Sequence, residues 1–154
     1  MLWLATQGRL RTFDRLQSTT IDDQICKLCN NLPESHDHLF FKCRFSSQVW
    51  HLIQDRAHKQ WPSLPWNGLL EWTSHRYKDA RTVNDLIGPL IFTASIYHVW
   101  QERNRRTFQS HARQVPNVVD DIFQQIRDLL MTNGGPAISE QIQTIWNLSQ
   151  VTGT

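Results

Sequence analysis

The sequence predicts a mostly α-helical fold, and three observations carry that expectation. Apolar residues recur at three- and four-residue steps over Arg44–His58, Val83–Phe108 and Val118–Leu130, the spacing that lines one face of a helix. Breaks fall between these stretches, at Trp61-Pro62, Leu64-Pro65, Val115-Pro116 and Asn133-Gly134-Gly135-Pro136. All three cysteines and two of the seven histidines lie within the eighteen residues from Cys26 to Cys43, a density that marks a metal loop near the N-terminus. The expected architecture is a small helical domain with a Cys3His zinc loop, followed by a helical bundle. Its divisions are a zinc-binding region at 1–58, a Pro/Trp-containing linker at 59–82 and a C-terminal helical region at 83–148.

A chain of 154 residues can bury roughly two thirds of its unfolded surface, so a core is attainable without disulfides. Seven tryptophans are a heavy load, and such rings serve more often as core and interface anchors than as base-stacking platforms. The formal net charge of +2 is too small to signal nucleic acid by itself, so only its distribution can argue for that partner. Met1-Leu-Trp-Leu-Ala lacks the start of a secretory signal, and no stretch approaches the roughly eighteen apolar residues of a membrane span. The expectation is an intracellular protein, with the nucleus as a candidate compartment, no membrane partner and reduced thiols.

In chain order, Leu2, Trp3, Leu4, Leu10, Phe13 and Leu16 suggest an apolar helix carrying the basic residues Arg9, Arg11 and Arg15. The polar, turn-like stretch Ser18–Asp23 leads into the metal loop. There Cys26 and Cys29 have the C-x2-C spacing in which a tight turn lets two thiolates grip one metal. Cys43 and one histidine close the tetrahedron, either His38 with four intervening residues or His36 with six. His38 is favoured because it directly precedes the apolar Leu39-Phe40-Phe41, whereas His36 follows Pro33-Glu34-Ser35 and is expected in an exposed loop. A redox pair or simple burial are the alternatives, but no βαβ pattern surrounds Cys26 and a disulfide would leave one cysteine over. Zinc with four protein ligands has no open position for water, so it would hold the fold and run no chemistry.

A helix from Arg44 to about His58, with Phe45, Val49, Leu52 and Ile53 on its apolar face, should grow directly from the last ligand. Lys59–Asn67 is interrupted by Pro62 and Pro65, and Leu69, Leu70 and Trp72 suggest a short helix beyond it. Val83–Phe108 should present Leu86, Ile87, Leu90, Ile91, Ala94, Tyr97 and His98 on one broad face, with a kink or restart at Gly88-Pro89. Its basic end, Arg103, Arg105 and Arg106, suits a helix C-terminus. Val118, Val119, Ile122, Phe123, Ile126, Leu129 and Leu130 predict an amphipathic helix, and Ile138, Ile142, Ile145 and Trp146 a last short one.

Paired carboxylates are the one feature that hints at metal-dependent catalysis. Asp120-Asp121 falls at the start of a predicted helix, where acids favour the dipole, and Asp22-Asp23 lies in a polar loop. Neither has the hairpin setting of a polymerase site, and there is no phosphate loop or nucleophile elbow, so the chain is expected not to be an enzyme.

The runs Trp3-Leu-Ala, Gly8-Arg-Leu-Arg-Thr12, Cys26-x-x-Cys29, Glu34-Ser-His-Asp-His-Leu-Phe-Phe-Lys-Cys43 and Val49-Trp50 resemble the zinc-binding domain that follows the reverse transcriptase in plant non-LTR (LINE-type) retrotransposons. Trp100-x-x-Arg103-Asn104-Arg105-Arg106-x-Phe108 is similar to a segment found downstream of that domain. The resemblance implies Cys26, Cys29, His38 and Cys43 as metal ligands and an N-terminal portion missing before residue 1. It also implies an accessory role beside a polymerase that this sequence does not carry.

Two functions follow from this reading. One is a nucleic-acid-binding module for RNA or DNA, with Arg9, Arg11, Arg15, Lys42, Arg44, Arg103, Arg105 and Arg106 as candidate phosphate contacts and Trp3, Phe13 or Trp50, where exposed, as stacking rings. The other is a zinc-stapled interaction unit whose Trp61, Trp66 and Trp72 dock on a reverse transcriptase polyprotein or another protein, unless those rings pack in its own core. A relic of a decayed element without a selected role is the remaining alternative.

Overall fold

The structure, a computed structural model, describes residues 10–12, 24–133 and 138–148. The expected N-terminal helix with Trp3, Arg9, Phe13 and Arg15 therefore lies outside the described residues, as do Asp22-Asp23 and the Gly134-Gly135-Pro136 stop. Helices occupy most of what is described, and no β-strand occurs among those residues.

A narrow loop comes first. Ile25 and Pro33 pair as an isolated antiparallel bridge, Cys26 N–H donates to Leu32 O at 2.9 Å and Glu34 N–H to Gln24 O at 2.8 Å. A short helical turn then runs into a π-turn at His38–Lys42 and on into α1, Arg44–Ala57. His58 ends α1 in the left-handed region (φ 50°), where its N–H bonds to Asp55 O and that of Lys59 to Gln54 O, the paired bonds of a Schellman motif. Residues 59–65 are irregular around Pro62 and Pro65, as expected. The short helix sought near Leu69 is α2, Trp66–Arg76.

Helix α3, Val83–Phe108, opens on a capping box in which Thr82 and Asp85 satisfy each other's backbone N–H groups. It continues through Pro89 as one helix, so of the kink or restart expected there the restart does not occur. Helix α4, Val115–Asn133, carries Pro116 in its first turn, where the missing N–H costs nothing, and so starts at the expected break instead of after it. Helix α5, Glu140–Ile145, is capped by Ser139, and Trp146 just beyond it stacks on Phe123 with ring centroids 4.3 Å apart.

Helices α1, α3 and α4 pack on one another, and the π-turn packs on α1 and α3. This arrangement corrects three details of the helical faces. On α3, Leu86 and Tyr97 are exposed, while Phe92, Ser95, Ile96 and Val99 join Ile87 and Ile91 in the core. The helix is apolar over a wide arc, and having α4 on one side and α1 with the π-turn on the other rotates the buried stripe away from the one periodicity suggests. Leu52 on α1 and Leu129 on α4 likewise lie outside their buried stripes, and Trp50 takes the place expected of Leu52.

Candidate metal centre

The C-x2-C loop is a tight turn closed by Asn30, whose N–H donates to Cys26 O at 2.8 Å and whose φ of 52° is a conformation asparagine tolerates well. Ser35 caps the helical turn that follows. Its Oγ accepts from His38 N–H at 3.1 Å and its carbonyl from Leu39 N–H at 2.8 Å, which fixes the backbone at His38. Five residues of α-helix would leave His38 and Cys43 about 140° apart around the axis. The π-turn removes that offset, because the Cys43 N–H reaches back five residues to His38 O at 2.6 Å and returns both side chains to one side. Cys43 then stands as the residue that opens α1.

These turns bring Cys26, Cys29, His38 and Cys43 together, with one ligand atom from each lying within 4.8 Å of all the others. The Cys26 and Cys43 sulfurs are 3.9 Å apart, and Cys29 Sγ is 3.4 Å from His38 Nε2. A zinc tetrahedron with lengths of about 2.3 Å to sulfur and 2.0 Å to nitrogen has edges of about 3.8 Å between sulfurs and about 3.5 Å from sulfur to nitrogen. Both observed edges match that figure. Cys26 and Cys43 are fully buried, His38 is buried and Cys29 half-buried. Through the bond it makes to Cys43, and through burial, the Cys26 thiol is pushed far up. The same bond draws Cys43 down to about 5, helped by the nearby amides of Ser46 and Phe45. The pair thus favours holding one proton between two sulfurs, the position a divalent cation would take with both as thiolates. Three sulfurs and one imidazole nitrogen suit zinc, and four such ligands would leave no open coordination position.

His36 is not in an exposed loop. It is buried, its Nδ1 lies 3.4 Å from Thr12 Oγ1, and its ring packs against Phe40 and Trp66 at 5.5 and 5.4 Å. The helical turn places residues 36 and 40 on the same face, toward α2, and carries His38 to the other side. Asp37 completes the link by accepting from Trp66 N–H at 2.8 Å and pairing with Lys42. Although burial pushes its carboxyl up, Lys42 and the Trp66 amide outweigh that and hold it below its ordinary value.

The basic candidates divide into two groups. Arg11, Lys42 and Arg44 are exposed, the last two on either side of Cys43, and Arg9 and Arg15 lie outside the described residues. At the end of α3 the arginines turn inward. Arg103 grips Glu34 with two bonds, Nε to Oε2 at 3.1 Å and Nη2 to Oε1 at 2.8 Å. Arg106 donates to Glu102 at 2.8 Å, to Arg113 O at 2.9 Å and to Leu28 O, inside the C-x2-C loop, at 2.9 Å. Arg105 Nε lies 3.6 Å from Glu102. Arg113 bonds both Glu102 and Asp121, and Arg56 pairs with Asp120 at 2.6 Å, so both helix aspartates have cationic partners.

Glu34, Glu102 and Arg113 were not singled out from the sequence. Glu102 precedes Arg106 by four positions on one helix, a spacing that signals a pair. Glu34 offers no local signal, since its partner is 69 residues away. Trp61 and Trp66 are buried and Trp72 is half-buried, which answers the open question about these rings in favour of the protein's own core. No helix among the described residues is long and apolar enough to cross a membrane.

Comparison with known proteins adds one finding. Residues 1–50 match the family model described as zinc-binding in reverse transcriptase, a segment that contains all four clustered residues. No curated protein and no solved structure matches the chain.

Proposed function

We propose that this chain is a non-catalytic zinc-binding module that holds RNA or DNA beside a reverse transcriptase, with Cys26, Cys29, His38 and Cys43 as the zinc ligands. The observation that carries the reading is the largely buried Cys3His cluster inside the segment that matches the family described as zinc-binding in reverse transcriptase. An origin in a plant LINE-type element agrees with the quoted motifs. Lys42 and Arg44, exposed on either side of Cys43, and the exposed Arg11 are the phosphate contacts in this reading. Arg103 and Arg106, turned toward Glu34 and Glu102, support the zinc loop from within.

The test is anisotropy of the zinc-loaded protein with labelled single-stranded RNA and DNA over a salt series. Binding should weaken with salt, and Arg11→Glu with Arg44→Glu should lower the slope by about two counterions. Salt-independent binding, or no binding, contradicts the reading.

Docking on a protein partner is the second reading. It has lost its tryptophan surface, but an apolar groove between α3 and α4, lined by Leu86, Leu90 and Leu129, supports it.

A further inference from the structure

We infer that the groove between the second half of α1 and the loop that follows it receives an unstacked nucleobase from a single strand. This rests on the nucleic-acid reading above and adds a point of base contact to it. The groove encloses about 280 Å³, and its walls include Trp50, His51 and Asp55 from α1 and Gln60, Trp61 and Ser63 from the loop. It is preformed. Buried Gln54 is held in α1 by donating to Trp50 O at 3.2 Å and accepts from Trp61 N–H at 2.8 Å, so the loop cannot swing from α1 without breaking the Trp61 bond.

The floor is aromatic, with the Trp50 and Trp61 rings packed at 5.0 Å. Trp61 is 8 % exposed, and its indole N–H is buried without a hydrogen-bond partner. That group can only donate, so what satisfies it must bring an acceptor. The rim residues His51, Asp55, Gln60 and Ser63 are exposed and offer both donors and acceptors. A base edge carries both kinds of group beside a flat apolar face, which matches this lining. No lysine or arginine lines the groove and Asp55 does, so a phosphate is disfavoured there.

The cation stands at the other end of the same helix. Arg44, Gln48, His51 and Asp55 are all exposed and share one stripe of α1. Arg44 precedes His51 by seven residues, about 10 Å along the axis. A single strand lying on this stripe would meet a phosphate contact first and a base site next.

The experiment compares a labelled single-stranded oligonucleotide with an abasic strand of equal length, both bound to the zinc-loaded full chain and read by anisotropy. The base-bearing strand should bind about tenfold more tightly. Trp61→Phe, which keeps an aromatic ring against Trp50 but removes the N–H, should reduce that ratio, as should the exposed double variant His51→Ala, Gln60→Ala, without changing the salt slope. Arg44→Glu should weaken both strands alike. Equal affinity for the two strands overturns the base site and leaves the nucleic-acid reading standing, whereas no binding of either overturns both. Displacement of the strand by a neutral peptide and by no nucleoside reassigns the groove to a protein segment and overturns the proposal.

Discussion

Glu34 and Arg103 stand 69 residues apart in the chain and bury their ion pair together, with side chains 0 % and 4 % exposed. One belongs to the segment that carries the Cys3His cluster and the other to the last turns of α3, outside the segment that matches the family. Arg106 makes a second tie, to the carbonyl of Leu28 between the first two cysteines. The metal loop is therefore built into the helical core from behind.

Removing one member of the Glu34–Arg103 pair leaves a buried charge without its partner. Glu34→Gln and Arg103→Met should each destabilise the zinc-loaded protein by about 3–5 kcal/mol, and the double variant should recover part of that loss. Urea unfolding of the four proteins gives the coupling. Single changes that cost under about 1 kcal/mol would show that the pair does not hold the loop.

The two histidines of the loop should separate cleanly. His38→Ala should weaken zinc binding by more than the roughly 10–100-fold that outer positions cost, while His36→Ala should keep zinc and lose stability through the emptied contact with Phe40 and Trp66. Competition with a chromogenic chelator, run beside thermal unfolding, distinguishes them. Zinc lost only from the His36 variant would reverse the assignment.

Gly88 lies where α3 meets Tyr77, and a Cβ there would collide with the Tyr77 hydroxyl and ring. Gly88→Ala should cost about 1–3 kcal/mol despite alanine's better helix propensity, and adding Tyr77→Leu should restore much of it. An exposed site would respond with a gain, and a gain in thermal stability would contradict the contact.

Glu102 sets an acid limit. Burial pushes its carboxyl up, but Arg106 and both the backbone and side chain of Arg113 outweigh this and hold it below its ordinary 4.5. A lowered folded pKa adds stability that is complete above the unfolded value and is lost as pH falls through the folded one. The stability difference between the wild type and Glu102→Gln should therefore be constant from neutral pH to about 5 and shrink below about 4. Urea midpoints across that range test it, and a difference that grows on acidification contradicts it.

The local parts of this structure were legible in the sequence. Cys26, Cys29 and Cys43 declare themselves by spacing, His38 stands out from His36 by its place before the apolar Leu39-Phe40-Phe41, and the spans of α1 and α3 follow from apolar period and from the proline break after α1. Long-range choices were not legible. Arg103 reads as part of a basic patch because its partner Glu34 lies 69 residues away. The burial of His36 depends on Trp66 arriving from α2, and the buried face of α3 depends on which helices flank it. The π-turn left only one trace, a gap of four residues between His38 and Cys43 that a regular helix would not close.

The most direct test of the zinc staple is metal content of the purified chain, followed by chelator titration with helix content read by circular dichroism. One zinc per chain, whose removal melts the loop and part of the helical signal, is the result expected from metal binding coupled to folding. A chain without zinc and with its helices intact, or one whose helix content is indifferent to chelation, would contradict it.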